Sequence, residues 1–136
     1  MENTLFMIKP DAVARHLIGE IIAVVEREGL SVERLELQRF DRAKAEAFYD
    51  VHRGKPFFES LIAYITSGPV APMVLAGENA ISRVRELMGA TDPAEAAAGT
   101  IRRKFGESIE RNAVHGSDSP ASARREIDVV FGEPPA

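Results

Sequence analysis

The sequence has 136 residues, no cysteine and a net charge of −4 at pH 7. A chain of this length is expected to form one domain over residues 1–136, with a core adequate for stability. The lack of cysteine excludes disulfides, zinc–thiolate sites and thiol catalysis. The acidic balance argues against general binding to nucleic acid or to anionic membranes. Residues 83–125 nevertheless carry a net charge of +2, from eight basic and six acidic side chains, which suits either a small polyanion or an ordinary solvated surface.

No targeting signal is predicted at the N-terminus, because MENTLFMIKPD lacks a basic region followed by a long apolar segment. The longest apolar runs, LIAYI and MVLA, are far shorter than the ~18 residues that a membrane helix needs. We therefore expect a cytoplasmic protein that does not enter a membrane.

The chain begins with alternating strand and helix signals. Residues 3–9 are short and apolar and stop at Pro10, which predicts a buried strand that ends in a turn. Apolar residues at helical spacing follow in 16–30, where Gly29 provides a left-handed cap. Residues 30–40 alternate imperfectly, as in a strand with one solvated face.

Two helices are predicted next. Asp41 is a suitable N-cap for a helix over 42–52, because its carboxylate can accept a bond from the first turn. Pro56 is expected in the first turn of a second helix, which Gly68 closes.

A third strand is predicted over 70–77. Its Pro72 lacks a backbone N–H, which favours an edge position or a bulge. Asn79 is a candidate N-cap for the following helix, and Gly89 ends that helix.

The last third of the chain has a loop rich in alanine and glycine, a short helical segment (100–105) and a brief strand (112–117). Ser119 and Pro120 then begin a final helix by the N-cap and N1 preferences. About four strands separated by helices predict an α/β sandwich with a small sheet. The pattern leaves open the strand order and whether the sheet is parallel or antiparallel.

One histidine is the first candidate for chemistry. His115 stands in RNAVHGSDS, where Gly116 removes side-chain bulk beside it and Ser117 adds a hydroxyl. Glu126 falls on or beside the apolar stripe of the last helix, so its carboxylate needs a partner. A histidine N–H would suit, since the carboxylate would then orient the ring and leave the other nitrogen as a nucleophile. Water or nearby arginines would serve Glu126 equally well.

The common phosphate-binding and nucleophile motifs are missing. The sequence has no Gly-Lys-Ser/Thr loop, no G-x-G-x-x-G and no G-x-S-x-G elbow, so a serine hydrolase is rejected. If nucleotides bind, cations such as Lys9, Arg85 and Arg102 must hold the phosphates. One of Phe57 and Phe58 must face away from the core and could stack on a base. Each of these residues also has an ordinary structural explanation.

Taken together, the segments resemble the nucleoside diphosphate kinases from about residue 4 to residue 131. The similarity rests on TLFMIKPDAV, RGKPFF, SGPV, MGATDPAEA and GTIR, followed by NAVHGSDS. It implies a ferredoxin-like α/β sandwich (α+β class) with a four-stranded antiparallel sheet covered by helices. It also implies ping-pong transfer of the γ-phosphate of a nucleoside triphosphate, typically ATP, to a nucleoside diphosphate.

The resemblance assigns roles to individual residues. His115 matches the phosphorylated nucleophile, acting through Nδ1, Glu126 the carboxylate on its other nitrogen, and Ser117 the hydroxyl bonded to that carboxylate. Positions matching phosphate contacts are Arg85, Thr91, Arg102 and His52. Positions matching ligands of the sugar hydroxyls are Lys9, which also reaches the transferred phosphate, and Asn112. Tyr49 matches the residue beside the transferred phosphoryl group, Phe57 the ring that stacks on the base, and Ile109 an apolar lip near that ring.

Further expectations follow from the resemblance. Mg²⁺ would arrive on the nucleotide phosphates, with no metal site in the protein. Base specificity should be broad, because stacking reads bases weakly.

The family assembles as tetramers or hexamers, and the chain ends without the longer tail of many relatives. Arg103 and Lys104 replace a small residue and an acid, which would make the rim of the site more basic. The alternatives are a catalytically silent nucleotide-binding module on the same fold and, more weakly, nucleic-acid binding near residues 102–111.

Overall fold

The structure, a computed structural model, describes residues 1–132. The strands are β1 (Glu2–Ile8), β2 (Ser31–Leu35), β3 (Ala71–Gly77) and β4 (Val114–Gly116). The helices are α1 (Pro10–Ala14), α2 (Ile18–Arg27), α3 (Arg42–Phe48), α4 (Phe58–Ile65), α5 (Ala80–Met88), α6 (Ile101–Phe105) and α7 (Pro120–Phe131), with a 3₁₀ turn at Asp50–His52.

The four strands form one sheet in the order β2-β3-β1-β4, and every neighbouring pair is antiparallel. The two central strands pair along their whole length, from Glu2 opposite Gly77 to Ile8 opposite Ala71. The expected ferredoxin-like α+β sandwich with a four-stranded antiparallel sheet is therefore confirmed. The choice between parallel and antiparallel pairing, which the pattern left open, is settled by this register.

Strand β1 is buried on both faces of the sheet. Phe6 and Ile8 pack into one core with α2 and α5, whereas Leu5 and Met7 pack into a second core with α3, α4 and α7. All four side chains are fully buried. Because side chains alternate along a strand, a continuous apolar run at this position supplies both cores at once. None of the helices in residues 1–132 is long and apolar enough to cross a membrane.

Pro72 was expected to mark an edge strand or a bulge. The edge position is wrong, since β3 lies inside the sheet, but the pairing of β2 with β3 does shift register between Val32 and Arg34. The missing N–H of Pro72 faces the end of β2, where the Glu36 N–H donates to the Pro72 carbonyl at 3.1 Å. Gln38 and Val70 exchange both of their backbone bonds just beyond this point, at 2.9 and 2.8 Å. A central strand thus accommodates the proline because only one bond is lost, where β2 has already ended at Leu35.

Several predicted elements have different bounds or surroundings. The helix predicted over 42–52 ends at Phe48 and is followed by the separate 3₁₀ turn. The strand predicted over 30–40 ends at Leu35, and Leu35 and Leu37 are 45% and 66% exposed, so the expected buried face is incomplete. Helix α4 begins at Phe58, two residues after Pro56, and ends at Ile65, before Gly68. Helix α1, directly after β1, was not predicted, because Pro10 was interpreted as a turn.

Some helix N-termini are capped by their own N-cap residue, and one is capped by a residue from a distant strand. Asp41, Thr100 and Ser119 each accept a backbone N–H bond within their own helix. Asn79 does not: its φ is 53° and its side chain makes no capping bond. The Ile81 N–H instead donates to the Glu2 carboxylate at 2.8 Å, so β1 supplies the cap from a distance.

Candidate active site

A cavity of about 550 Å³ opens beside the ends of β1 and β4. Eleven of the twelve predicted site residues line it, and the twelfth, Ser117, is buried behind Glu126. The eleven are Lys9, Tyr49, His52, Phe57, Arg85, Thr91, Arg102, Ile109, Asn112, His115 and Glu126. The fold therefore brings together side chains from both ends of the chain.

His115 is held in one orientation at the cavity wall. It lies on β4 opposite Met7 of β1, and its ring packs edge-on against Phe48 with centroids 4.9 Å apart. Its Nε2 lies 2.8 Å from the Glu126 Oε1 atom. Within residues 1–132 its Nδ1 has no hydrogen-bond partner. The imidazole thus has one nitrogen anchored by a carboxylate and the other available to a ligand.

Glu126 is buried, with 7% of its side chain exposed, and its partners are satisfied from two sides. The Ser117 hydroxyl donates to Oε1 at 2.8 Å, alongside the His115 ring. Arg125 approaches the other oxygen at 3.6 Å. Two of the partners considered for Glu126 are therefore present: a histidine on one carboxylate oxygen and an arginine near the other.

Gly116 has a different role from the one expected. A Cβ atom at this position would lie 2.5 Å from the Met88 sulfur and 3.1 Å from Val84 Cγ1. The absent side chain therefore lets β4 pack closely on α5, and it does not primarily widen the approach to His115. The Gly116 carbonyl also accepts a bond from Arg85 Nη1 at 3.1 Å.

Lys9 places a buried ammonium at the base of the cavity. Its Nζ donates to Asn112 Oδ1 at 2.9 Å and to the Glu110 carbonyl at 3.1 Å. Burial, reinforced by the charge of Arg102, lowers the pKa of Lys9 to about 8. Asn112 is fixed in turn by donating to the Thr91 and Ile109 carbonyls at 3.0 and 2.9 Å. This network prepares a cation and an amide for a polar ligand.

Two arginines complete the positive side of the cavity. Arg102 is 6% exposed and donates to the Val114 carbonyl at 2.9 Å and to the Gly89 carbonyl at 3.2 Å. Burial, followed by the charge of Arg85, lowers the pKa of Arg102 to about 10, which leaves it cationic at neutral pH. Cations that are anchored by carbonyls and gathered in one cavity suit a polyanion such as a phosphate chain.

Two further ring side chains, Tyr49 and His52, line the same cavity as His115, with their ring centroids 6.1 Å apart. Burial, helped by the charge of Glu126, raises the pKa of Tyr49 above its usual value, so the phenol stays protonated and can donate. Burial, with the charge of Lys55 next, lowers the pKa of His52. The buried Nδ1 of His52 has no hydrogen-bond partner among the described residues.

The mouth of the cavity is apolar. Phe57 and Ile109 line it and are 44% and 61% exposed, whereas the neighbouring Phe58 is buried in the core. This answers which of the two phenylalanines faces outward. An exposed ring and an exposed aliphatic side chain in one cavity can pack against a flat group.

Sequence reasoning missed several residues of the cavity. Val51, Leu61, Glu110 and Ser122 also line it. Ser122 was the most accessible of these to prediction, because it lies one helical turn before Glu126 on α7. The other three carried no motif of their own.

The proposed basic rim is not where it was expected. Arg103 and Lys104 do not line the cavity. Arg103 Nη1 donates to the Ala94 carbonyl at 3.0 Å, and the Lys104 ammonium lies 5.5 Å from the Phe105 ring centroid. Among the described residues, no group of three His, Asp or Glu side chains is placed to hold a metal ion.

Comparison with known proteins gives a consistent result. The sequence model of the family described as "Nucleoside diphosphate kinase" matches residues 2–135. Over 131 residues the chain is 56% identical to the nucleoside diphosphate kinase of Pelotomaculum thermopropionicum, covering 96% of this chain and 88% of the relative. Over 130 residues it is 57% identical to that of Staphylothermus marinus, covering 96% and 92%.

Solved structures agree with this similarity. The nucleoside diphosphate kinase of Aquifex aeolicus matches with a TM-score of 0.94 at 46% identity, over 96% of this chain and 94% of the other. That of Halobacterium salinarum, in complex with CDP, matches with a TM-score of 0.94 at 44% identity, over 97% and 88%. Sequence and fold therefore point to the same family along nearly the whole chain.

Proposed function

The chain belongs to the nucleoside diphosphate kinase family, and we propose that His115 carries the phosphate between its nucleotides. The reaction transfers the terminal phosphate of a nucleoside triphosphate to a nucleoside diphosphate. The observation that supports the proposal is the chain of bonds from Ser117 through Glu126 to His115 Nε2. This chain leaves Nδ1 as the nucleophile. The similarity to active kinases does not favour the silent nucleotide-binding alternative.

In the first half-reaction, the lone pair of His115 Nδ1 attacks the γ-phosphorus of the donor. A nitrogen–phosphorus bond forms, and the bond from that phosphorus to the β–γ bridging oxygen breaks. The bridging oxygen leaves with the electron pair, as the nucleoside diphosphate. Glu126 keeps the proton on Nε2 and stabilises the positive charge that the ring acquires. Ser117 stabilises the carboxylate in turn.

In the second half-reaction, a terminal oxygen of a different nucleoside diphosphate attacks the phosphohistidine. A new phosphorus–oxygen bond forms as the nitrogen–phosphorus bond breaks, and the electron pair returns to Nδ1. Splitting the transfer in this way lets a single cavity serve donor and acceptor in turn. The ping-pong order follows from that arrangement.

The cations position the phosphates and offset their charge. Arg85, Arg102 and Lys9 are proposed to hold the phosphate oxygens, assisted by Thr91 and His52. Phosphoryl transfer depends mainly on in-line positioning and on such charge stabilisation. Tyr49 is proposed to donate to the transferred phosphoryl group. Lys9 and Asn112 are proposed to bind the sugar hydroxyls.

The remaining features of the substrate follow from its chemistry. Mg²⁺ is proposed to enter on the nucleotide phosphates, since it binds substrate phosphates readily and keeps several waters. The base is proposed to lie between Phe57 and Ile109, with broad specificity because every base has a stacking face. We also propose that the protein is a homo-oligomer, either a tetramer or a hexamer, and that it is located in the cytoplasm.

The direct test is transfer of a labelled phosphate. We expect the purified protein, incubated with γ-labelled ATP and Mg²⁺ and then freed of nucleotide, to retain an acid-labile label. Added GDP should remove that label as GTP. His115→Ala should abolish labelling, because among residues 1–132 His115 is the histidine whose ring is oriented by a carboxylate.

His16→Asn is a matched control, because His16 has a φ of 63°, which asparagine adopts more readily than alanine. His16 lies just after α1 and does not line the cavity, so this variant should label normally. Labelling that persisted in His115→Ala, or well-folded wild type that took no label, would overturn the relay through His115.

A further inference from the structure

The backbone at Ala113, two residues before His115, has an unusual conformation. Its φ is 75°, and Ala113 is fully buried. The Val114 N–H donates to the Asn112 carbonyl at 2.9 Å, which closes a three-residue turn around it. A γ-turn with positive φ is the rarer and strained form, and alanine has no intrinsic preference for it. The surroundings must therefore maintain this turn.

Both backbone polar groups of Ala113 are bonded to one short segment at the end of β1. The Lys9 N–H donates to the Ala113 carbonyl at 2.8 Å. The Ala113 N–H donates to Asp11 Oδ2 at 3.1 Å. Pro10 lies between these two partners and restricts the backbone that joins them. The Lys-Pro-Asp sequence thus holds the turn from both sides.

Tyr64 of α4 fixes Asp11 in place. Its hydroxyl accepts the Asp11 backbone N–H at 2.7 Å and donates to Asp11 Oδ1. Both residues are buried, with 7% and 8% exposure. Burial, assisted by the charge of Asp11, raises the pKa of Tyr64 well above its usual value, so the hydroxyl remains a donor. The carboxylate has one oxygen on the tyrosine and the other on the strained turn.

We propose that Asp11 and Tyr64 are positioning residues for phosphate transfer, because they hold Ala113 in its left-handed turn between Asn112 and His115. Neither lines the cavity, so neither is a catalytic residue. The turn sets the direction in which the chain enters β4, and with it the position of His115 relative to Lys9 and Asn112. This proposal rests on the proposed function of His115.

A purely structural role for the pair makes a different prediction. A buried Asp–Tyr contact that served only stability would lower the melting temperature when removed. It would leave the rate per folded molecule unchanged. Positioning requires that the rate fall in folded protein, and that it recover when the strain at residue 113 is removed. Glycine at this position adopts positive φ without steric cost, so Ala113→Gly supplies that recovery.

The test measures the rate at which His115 takes label from γ-labelled ATP in a single turnover. Tyr64→Phe is expected to slow this step about tenfold, since small displacements of reacting groups reduce rates strongly. Adding Ala113→Gly to Tyr64→Phe should bring the rate within about threefold of wild type. Ala76→Gly, at a buried alanine of β3 without positive φ, is the matched control and should not restore the rate.

A second pair of variants addresses the bond itself. Asp11→Asn and Asp11→Ala both remove the charge near Lys9, but only asparagine keeps an oxygen that can accept the Ala113 N–H. Asp11→Asn should therefore label about tenfold faster than Asp11→Ala. This comparison decides the question if Tyr64→Phe does not fold.

The outcomes separate the two proposals. If wild type takes no label, the role of His115 fails. If wild type labels but Tyr64→Phe labels equally fast, or Ala113→Gly gives no recovery, positioning by Asp11 and Tyr64 is wrong and His115 is unaffected. Equal rates for Asp11→Asn and Asp11→Ala would also overturn it.

Discussion

The floor and the mouth of the cavity are built in opposite ways. At the floor, Lys9, Arg102 and Glu126 are buried, and each makes hydrogen bonds to neighbouring protein groups. At the mouth, Phe57 and Ile109 are exposed. A buried, bonded group cannot move without losing partners, whereas an exposed ring can adapt. We therefore expect the phosphate end of a nucleotide to be recognised strictly and the base end loosely.

Removing the charge of Glu126 should have the largest effect in this comparison. Glu126→Gln is expected to lower the steady-state transfer rate roughly 10- to 100-fold, because the carboxylate orients His115 and stabilises its charge. The Michaelis constant for nucleotide should change little. Asp128→Asn, an exposed acid on the same helix, is the control and should be silent. Wild-type activity in Glu126→Gln would show that transfer does not depend on the charge of this buried carboxylate.

The pH dependence of kcat/KM tests the role of Lys9 at the floor of the cavity. Its pKa of about 8 means that the ammonium loses its proton as the pH rises through that value. Phosphate binding weakens accordingly, so kcat/KM should fall up to about tenfold per pH unit above it. Lys9→Arg should lack this decline, because guanidinium stays charged. A wild-type profile flat to pH 10 would contradict the prediction.

The same pKa has an opposite consequence for stability. With a lowered pKa in the folded protein, the unfolded chain binds more protons between pH about 8 and the usual lysine value of 10.5. The contribution of Lys9 to the free energy of unfolding therefore increases as the pH rises through this window. Activity and the stability contribution of Lys9 should change in opposite directions, which titration of unfolding with and without Lys9→Met can measure.

A substitution at the mouth of the cavity should have the smallest effect on the kinetics. Phe57→Ala is expected to cost about 1 kcal/mol of binding, the lower end for base stacking, and to raise the Michaelis constant roughly fivefold. The increase should be similar for adenine, guanine and cytosine nucleotides, with kcat nearly unchanged. Val51→Ala, also at an exposed position of the cavity, is the matched control. A strong preference for one base, lost in Phe57→Ala, would show that the mouth is selective.

The locally encoded parts of the structure were predictable. The helix starts at Asp41 and Ser119 and the helix end at Gly89 depend on bonds or φ values within a few residues, and all three agree with the structure. The site motif around His115 was also predictable, since its spacing is specific. For Glu126 the sequence predicted that the carboxylate needs a partner but left the partner open, and the structure pairs it with the His115 ring.

The sequence-based predictions were wrong at positions whose conformation depends on a residue far away in the chain. The cap of α5 comes from Glu2 and not from Asn79, and no local pattern indicates this. Pro72 occupies a central strand because β2 happens to end beside it. Gly116 is required by the closeness of Met88, 28 residues earlier in the chain. In each case the determining contact joins residues that are far apart in sequence.

The approximate positions of the strands and most helices, several local caps and the residues available for chemistry could be predicted from the amino-acid sequence alone. Propensity, periodicity and motif spacing act over a few residues and can be read directly. Only the tertiary structure decided the strand order, the burial that lowers the pKa of Lys9, and the strained turn that Asp11 and Tyr64 hold. The physical reason is that desolvation and strand pairing depend on which distant segments meet, and a one-dimensional pattern does not contain that information.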